Sequence, residues 1–176
     1  LTNLAGLIRR YPEVTSKIGR AVIMGGGIGC GNVTSTAEFN IYCDPVSAQL
    51  VFSSLPDICL IPLNLTTQIA FSPSQIQDLT QGGTAFSKAM RRILAFNCEA
   101  CKQDGQTGAV MHDATAALYP FFPGLYQATR CGIRVEVRQP GHIGETVVLE
   151  GGQNVALVTG GDTAAILTRI GDALRR

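Results

Sequence analysis

Polar residues that can bind or transform a ligand concentrate at three places in this 176-residue sequence: Asn32, the triplet Glu38-Phe39-Asn40 and the pair His112-Asp113. The surrounding patterns call for apolar or neutral residues at these positions. On an extended backbone, Glu38 and Asn40 point to one side of the chain and Phe39 points to the other. A carboxylate beside a carboxamide offers hydrogen-bond acceptors and donors together. The triplet therefore predicts a ligand with adjacent hydroxyl groups, such as a sugar.

Each of these residues also has a plainer interpretation. Asn32 and Asn40 are common turn residues, and Glu38 is of a type that is usually solvated. Aspartate is a good helix cap, so Asp113 could cap a helix that has His112 at its edge. The residues taken one by one leave both interpretations open.

Two further motifs are weaker. The glycine-rich segment GGGIGCGN, residues 25–32, follows an apolar run as a phosphate-binding loop does. It lacks a following Lys-Ser/Thr, and no register gives G-x-G-x-x-G, which argues against nucleotide binding. Cys98 and Cys101 form a C-x-x-C motif with no second pair and no histidine at zinc spacing, so we interpret them as structurally incidental.

The elements that must position these residues follow from apolar spacing and from cap residues. Predicted helices span about residues 4–11, 12–17, 44–52, 72–79, 84–96 and 112–119, with a closing helix capped by Asp162. Predicted strands span about residues 20–24, 57–62, 131–138, 145–149 and 154–159. Residues 97–108 are polar without a period, which predicts a surface loop or a frayed lid. This pattern predicts an α/β fold, with a mostly parallel central sheet between helices and its site at the strand ends.

The charge composition argues against two classes of binding partner. The chain carries 14 basic and 13 acidic residues, and no run of Lys or Arg forms a surface for nucleic acid or for an anionic membrane. Apolar stretches fall short of the roughly 20 residues that span a bilayer. Six scattered cysteines suit a reducing compartment, so we expect a cytoplasmic protein. The sequence starts at Leu1 rather than Met, which predicts a chain that was processed or shortened.

Five motifs follow one another along the chain: LTNLA at 1–5, MGGG at 24–27, GN at 31–32, AEFN leading to DP at 37–45, and HDA at 112–114. In this order they resemble the C-terminal half of the inosine-uridine-preferring nucleoside hydrolase family. The resemblance implies that residues 1–176 are the C-terminal part of a single nucleoside hydrolase domain. It also implies a calcium-dependent enzyme of nucleoside salvage that cleaves ribonucleosides to ribose and free base.

The resemblance also implies a role for each candidate residue. Thr2, through its main-chain carbonyl, and Asp113 would bind calcium, and His112 would face the leaving base. Ribose would be bound by a set of five residues: Met24, Asn32, Glu38, Phe39 and Asn40. The family's D-x-D-x-x-x-D-D cluster, which supplies most metal ligands and the general base, does not occur in this sequence.

Without this cluster, the 176 residues alone should be inactive. They should also associate with another copy or with an N-terminal partner fragment that supplies the aspartates. Alternatively, the chain is a catalytically dead module that binds ribose or a nucleoside, or it is one chain of a split assembly. Base preference is left open by the sequence.

Overall fold

The computed structural model describes residues 1–103 and 105–175. Eight α-helices occur in this part of the chain: α1 Thr2–Arg10, α2 Phe39–Tyr42, α3 Pro45–Ser54, α4 Leu63–Thr66, α5 Pro73–Leu79, α6 Ala85–Gln103, α7 His112–Leu118 and α8 Thr163–Leu174. The same residues contain seven strands: β1 Ala21–Met24, β2 Ile58–Ile61, β3 Ala70–Phe71, β4 Ala109–Val110, β5 Tyr126–Val135, β6 Thr146–Leu149 and β7 Val155–Gly161.

The chain divides into two compact units. Unit 1 consists of Leu1–Leu65 and Tyr126–Gly160, and unit 2 consists of Thr66–Leu125 and the residues from Gly161 onward. Whether residues 1–176 are part of one domain of a longer protein stays a prediction.

A five-stranded mixed sheet with the order β1-β2-β7-β5-β6 organises unit 1. Strands β1 and β2 pair in parallel, β2 and β7 also pair in parallel, and β5 pairs with β6 in antiparallel fashion. All four residues of β2 are buried, as expected of a central parallel strand with both faces covered. The predicted α/β fold with a central sheet and flanking helices is therefore confirmed.

Helices α1 and α3 pack against each other, and α3 also packs on β5. Asp44 caps α3 by accepting a hydrogen bond from the Ser47 N–H, and Pro45 occupies the first helical position. The buried face of α3 includes Val51 and Phe52, which join the hydrophobic core of unit 1. Burying one such side chain is worth about 1.5–3 kcal/mol, so the cap and the apolar face both favour the predicted helix.

Unit 2 consists mainly of helices around the short antiparallel pair β3–β4. Helix α5 packs on α6, α6 packs on β4, and α7 packs on α8. Ser72 and Gln75 form a reciprocal capping box at the start of α5, and Asp162 caps α8. Both helix starts were predicted from these cap residues.

The prediction of a loop or lid over residues 97–108 is wrong for its first seven residues. Helix α6 continues to Gln103 because Cys98 is buried, at 4% exposure, and extends the apolar face of the helix. Cys101 Sγ also donates to Asn97 Oδ1 one turn earlier, and Lys102 pairs with Glu99. These contacts favour continuation of the helix across a segment that has no apolar period in sequence.

Two predicted boundaries also move. The segment opened by Pro12 is a 3₁₀ turn, Pro12–Ser16, rather than an α-helix. Strand β5 ends at Val135, three residues earlier than predicted. The reason is that Glu136 Oε1 accepts hydrogen bonds from the backbone N–H groups of the three residues that follow it, which bends the chain.

Across residues 1–103 and 105–175, no helix is both long enough and apolar enough to cross a membrane. All six cysteines are free thiols.

Candidate functional site

Strand β1 leads directly into the glycine-rich loop, which is anchored on both sides. The Gly25 N–H donates to Ile61 O at 3.3 Å, and the Leu63 N–H donates to Gly26 O at 2.9 Å. Asn64 makes two hydrogen bonds to Ile28: its Oδ1 accepts from the Ile28 N–H at 2.9 Å, and its Nδ2 donates to Ile28 O at 3.1 Å. The loop is therefore a fixed structure at the carboxyl ends of β1 and β2.

Glycine is required at two positions of this loop. Gly26 has φ +70°, and a Cβ there would lie 2.7 Å from Thr146 Oγ1. A Cβ on Gly31 would lie 2.4 Å from the backbone nitrogen of Ala37. At Gly31 the backbone would have to move, and at Gly26 either the loop or the Thr146 side chain would have to shift. The glycines therefore allow the loop to pack closely against its neighbours.

Glu38 lies under this loop and is only 2% exposed. Its Oε2 accepts from the Gly26 N–H at 2.8 Å and from the Ile41 N–H at 3.2 Å, and its Oε1 accepts from the Asn40 N–H at 2.9 Å. One carboxylate thus caps α2 and also holds the glycine loop. Three of roughly four acceptor positions on the two oxygens are used, so about one position on Oε1 remains for a ligand hydroxyl.

Asn40 and Met24 are joined by the Asn40 amide. Its Nδ2 donates to Met24 O at 3.3 Å and contacts Met24 Sδ at 3.3 Å. Both residues are partly buried. The amide nitrogen of Asn40 therefore binds Met24 at the end of β1. Its Oδ1 is the atom that we consider for ligand binding.

Asn32 precedes α2 in sequence and binds the first residue of that helix. Its Oδ1 accepts from the Phe39 N–H at 2.9 Å. Asn32 is exposed and the Phe39 side chain is 57% exposed. Unit 1 thus brings together the five residues predicted to bind ribose, which we name the Glu38 cluster: Met24, Asn32, Glu38, Phe39 and Asn40.

The predicted backbone of the triplet is wrong. Only Glu38 is extended, and Phe39 begins the four-residue helix α2, because the Glu38 carboxylate binds backbone N–H groups of its first turn. The plainer interpretation of Glu38 as a solvated side chain is also wrong, since the residue is buried.

Thr2 lies in unit 1 at the start of α1, and its hydroxyl donates to Asp44 Oδ2 at 2.6 Å. This hydrogen bond, followed by that from the Ser47 N–H, lowers the pKa of Asp44 to about 2. Asp44 thus links the first turns of α1 and α3. The implied role of the Thr2 carbonyl as a metal ligand stays a prediction.

His112 and Asp113 lie at the start of α7 in unit 2. His112 Nδ1 lies 2.7 Å from Thr66 Oγ1, and Thr66 is fully buried. The N-cap of α7 is Met111, so Asp113 is the second helical residue and not the cap. Asp113 is exposed, in the first turn, where the helix dipole favours a negative charge. The interpretation of Asp113 as a helix cap is therefore wrong.

A calcium site is not complete within the described residues. Over residues 1–103 and 105–175, no three His, Cys, Asp or Glu side chains are grouped so that they could hold a metal ion. Calcium takes roughly 6–8 oxygen ligands. Thr2 and Asp113 do not satisfy that number, so the described residues by themselves do not fit the ion.

Two contributors escaped the sequence analysis. Thr66 was not singled out, although it contacts His112 across 46 residues of sequence. Asn64 closes the glycine loop, a role that no local pattern indicates. A polar residue shortly after a predicted strand was the available signal for both, since such positions line the carboxyl edge of a sheet.

Comparison with known proteins agrees with this geometry. Residues 1–168 match the family model described as inosine-uridine preferring nucleoside hydrolase. The chain belongs to this family. It is 35% identical over 149 residues to a pyrimidine-specific ribonucleoside hydrolase, RihA, of Salmonella paratyphi A, and the match covers 84% of this chain and 48% of that protein. It is 30% identical over 148 residues to the inosine-uridine preferring nucleoside hydrolase of Leishmania major, with 84% and 47% covered.

Solved structures of nucleoside hydrolases share the fold. A purine-preferring ribonucleoside hydrolase from Gardnerella vaginalis superposes with a TM-score of 0.90 at 25% identity, covering 99% of this chain and 58% of that one. A plant nucleoside hydrolase superposes with a TM-score of 0.91 at 23% identity, covering 99% and 59%. This nucleoside hydrolase chain spans about half the length of the curated relatives it matches.

Proposed function

We propose that this chain supplies the ribose-binding and leaving-group half of a ribonucleoside N-glycosidase, which hydrolyses ribonucleosides to ribose and free base. The observation that carries the proposal is the Glu38 cluster, whose five members are the positions that the family resemblance assigns to ribose. The match to the nucleoside hydrolase family supports it over residues 1–168.

In this proposal Glu38 Oε1 and Asn40 Oδ1 accept hydrogen bonds from adjacent ribose hydroxyls. Met24 packs beneath the sugar and the exposed ring of Phe39 lies beside it, while Asn32 steadies α2 and contributes its amide. As the C1′–N bond breaks, positive charge develops on the ribose ring, and a carboxylate close to the hydroxyls stabilises that charge. The bond to ribose hydroxyls should therefore be stronger in the transition state than in the bound substrate.

His112 acts on the other product. The electron pair of the C1′–N bond leaves with the base, and His112 donates a proton to the base as it departs. The oxygen of a water molecule forms the new bond to C1′ and one proton of that water is released. The net change is addition of water across the bond, after which His112 recovers its proton from solvent.

The proposed cofactor is calcium, which would bind the ribose hydroxyls and the attacking water. Thr2 O and an Asp113 carboxylate oxygen would be two of its ligands, and the others would come from outside these 176 residues. We therefore propose that the 176 residues alone do not turn over nucleosides, and that turnover needs another copy or a partner fragment. Because no three metal-binding side chains group together among the described residues, a ribose-binding module without activity is the second candidate function.

The cytoplasm is the proposed compartment, supported by the free thiols. The relatives and solved structures carry names that range from pyrimidine-specific through inosine-uridine preferring to purine-preferring, so membership of the family does not select a base.

The test compares two substrates with the His112→Ala variant in a form of the enzyme that hydrolyses nucleosides. General acid catalysis is worth about 10²–10⁴-fold in rate, so kcat on uridine or inosine should fall by that factor. Hydrolysis of p-nitrophenyl riboside should be nearly unchanged, because its leaving group departs as a stable anion. Asp113→Ala should reduce turnover of both substrates alike. Equal losses on both substrates for His112→Ala would remove the leaving-group role.

The second candidate is distinguished by a binding measurement on the chain itself. Ribose binding without turnover, unchanged when N-terminal fragments of a family relative are added, would favour the binding module. Turnover restored by such a fragment would favour the split assembly.

A further inference from the structure

Thr66 contacts the side chain of His112 from a buried position. It is the last residue of α4, it is fully buried, and its Oγ1 lies 2.7 Å from His112 Nδ1. A buried hydroxyl that loses its hydrogen-bond partner costs about 1–3 kcal/mol. This contact therefore constrains both residues, and it is shielded from bulk water at the threonine end.

The backbone around the contact is held in place independently of the two side chains. The Ile69 N–H donates to Thr66 O at 3.1 Å, and the Met111 N–H donates to Ile69 O at 2.8 Å. Ala70 pairs with Val110 in the β3–β4 ladder. The segment that carries Thr66 and the segment that leads into α7 are thus neighbours in one hydrogen-bonded unit, which fixes the separation of Thr66 from His112.

We infer that Thr66 is a positioning residue for His112, which selects the ring nitrogen that serves the leaving base. The inference rests on the proposed function. A threonine hydroxyl both donates and accepts, so it pairs with Nδ1 when the ring is neutral and also when it is charged. In the charged ring Nδ1–H donates to the Thr66 hydroxyl, and Nε2–H is left to serve the departing base. When Nε2 gives up its proton, the neutral ring keeps the other proton on Nδ1, still bonded to Thr66. Proton transfer to the departing base is thereby assigned to Nε2.

The orientation of the ring follows from the same contact. A histidine at the first position of a helix can adopt several side-chain rotamers, and a misplacement of about 1 Å can cost about 10²-fold in rate. A hydrogen bond to Nδ1 from a buried hydroxyl selects one rotamer. Thr66 thus acts on the rate only through His112 and touches neither substrate nor metal in this proposal.

Three variants separate positioning from structural support. Thr66→Val keeps the shape of the side chain and removes the hydroxyl, whereas Thr66→Ser keeps the hydroxyl. Thr80→Val is the matched control, because Thr80 is also a buried threonine of unit 2, and its hydroxyl bonds to Ile76 O and to the Arg91 side chain instead. All three remove or retain a buried hydroxyl in the same unit.

The first measurement uses the chain itself and needs no activity. Nitrogen-15 NMR of the imidazoles is tractable because the chain contains only two histidines. In the wild type the neutral His112 ring should carry its proton on Nδ1, hydrogen-bonded to Thr66, and the Nδ1 resonance should shift in Thr66→Val but not in Thr66→Ser or Thr80→Val. A neutral wild-type ring protonated on Nε2 would overturn the inference, even if Thr66→Val failed to fold.

The second measurement is kinetic and uses the nucleoside-hydrolysing form of the enzyme. Thr66→Val should lower kcat on a natural nucleoside by about 10²-fold with little change in KM, while sparing p-nitrophenyl riboside, and Thr66→Ser should restore most of the rate. Equal losses on both substrates, or no rescue by serine, would contradict it. If His112→Ala fails to discriminate the substrates, the proposed function fails, whereas discrimination by His112→Ala but not by Thr66→Val defeats this inference alone.

Discussion

The Glu38 cluster of unit 1 and the His112-Asp113 pair of unit 2 use polar side chains in opposite ways. Glu38 is buried, and its carboxylate is bonded to three backbone N–H groups, so it forms part of the structure that surrounds it. Asp113 is exposed at the start of a helix that forms without a side-chain cap. The helix carrying His112 and Asp113 therefore does not depend on the Asp113 carboxylate, whereas the glycine loop depends on that of Glu38.

This difference decides how a substitution should be interpreted. A loss of activity in the Glu38 cluster combines an effect on folding with an effect on ligand binding. A loss at Asp113 reports on chemistry with little change in stability, whereas a substitution at His112 also leaves the buried Thr66 hydroxyl without this partner. Stability and activity must therefore be measured together for the Glu38 cluster and for His112, and activity alone is informative for Asp113.

The largest expected effect on stability is that of Glu38→Ala. The Gly26 and Ile41 N–H groups bonded to Oε2 are buried, and each loses its acceptor, which costs about 1–3 kcal/mol per group. The free energy of unfolding, measured with urea, should fall by at least about 2 kcal/mol. Asp113→Ala should change it by less than about 0.5 kcal/mol. Similar losses for the two variants would contradict the structural role assigned to the Glu38 carboxylate.

The kinetic consequence of the same variant has its own control. In an active form of the enzyme, Glu38→Ala should lower kcat as well as raise KM, because the bond to ribose strengthens in the transition state. Glu13→Ala removes an exposed carboxylate in unit 1 and should change neither quantity. A change confined to KM would show that Glu38 binds substrate and transition state equally.

A smaller effect is expected from alanine substitutions at two glycines. Gly26 and Gly83 both have left-handed backbones, with φ +70° and φ +67°. A Cβ on Gly83 would meet nothing within 4 Å, whereas one on Gly26 would lie 2.7 Å from Thr146 Oγ1. Gly83→Ala should therefore cost only the backbone strain, about 1–2 kcal/mol. Gly26→Ala should cost more in urea unfolding, because either the loop or the Thr146 side chain must also shift.

The two glycine variants should also differ in their effect on ribose binding, since the Gly26 N–H donates to Glu38. If the loop moves in Gly26→Ala, the buried carboxylate loses a donor, and ribose binding should weaken along with stability. Gly83→Ala should leave ribose binding unchanged. Equal costs for the two variants would mean that the contact with Thr146 relaxes easily.

Local chemistry accounts for the parts of the fold that the sequence predicts well. Helices α3, α5 and α8 begin at Asp44, Ser72 and Asp162, where the side-chain hydrogen bond of the cap is formed within three residues. The buried strand β2 is evident from its continuous apolar residues. Such elements need no knowledge of distant neighbours.

The elements that sequence analysis missed depend on distant contacts. Helix α2 has only four residues, and its cap also binds Gly26, 12 residues away. The last turns of α6 depend on the burial of Cys98. The candidate ribose residues were identified by their motif, but their arrangement around a buried carboxylate was not, because no short-range pattern distinguishes a buried glutamate from a solvated one.

The smallest expected effect concerns the hydrogen bond between Thr2 and Asp44. This bond is exposed to solvent, whereas the hydrogen bonds of the Glu38 carboxylate are buried or partly buried. The Thr2 hydroxyl is the main cause that lowers the pKa of Asp44 from 3.8 to about 2. Because the folded pKa lies below the unfolded one, the contribution to stability is present above pH 3.8 and is lost as the pH falls through about 2. In Thr2→Val the pKa of Asp44, followed by NMR titration of its carboxyl carbon, should rise toward 3.8 without reaching it, since the Ser47 N–H still donates.

Glu136, whose pKa is lowered to about 2 mainly by Arg134, is the internal control and should titrate as in the wild type. The stability difference between variant and wild type should be small, because exposed pairs are screened, and it should vanish near pH 2. An Asp44 that titrates near 3.8 in both proteins would show that its link to Thr2 is not formed in solution.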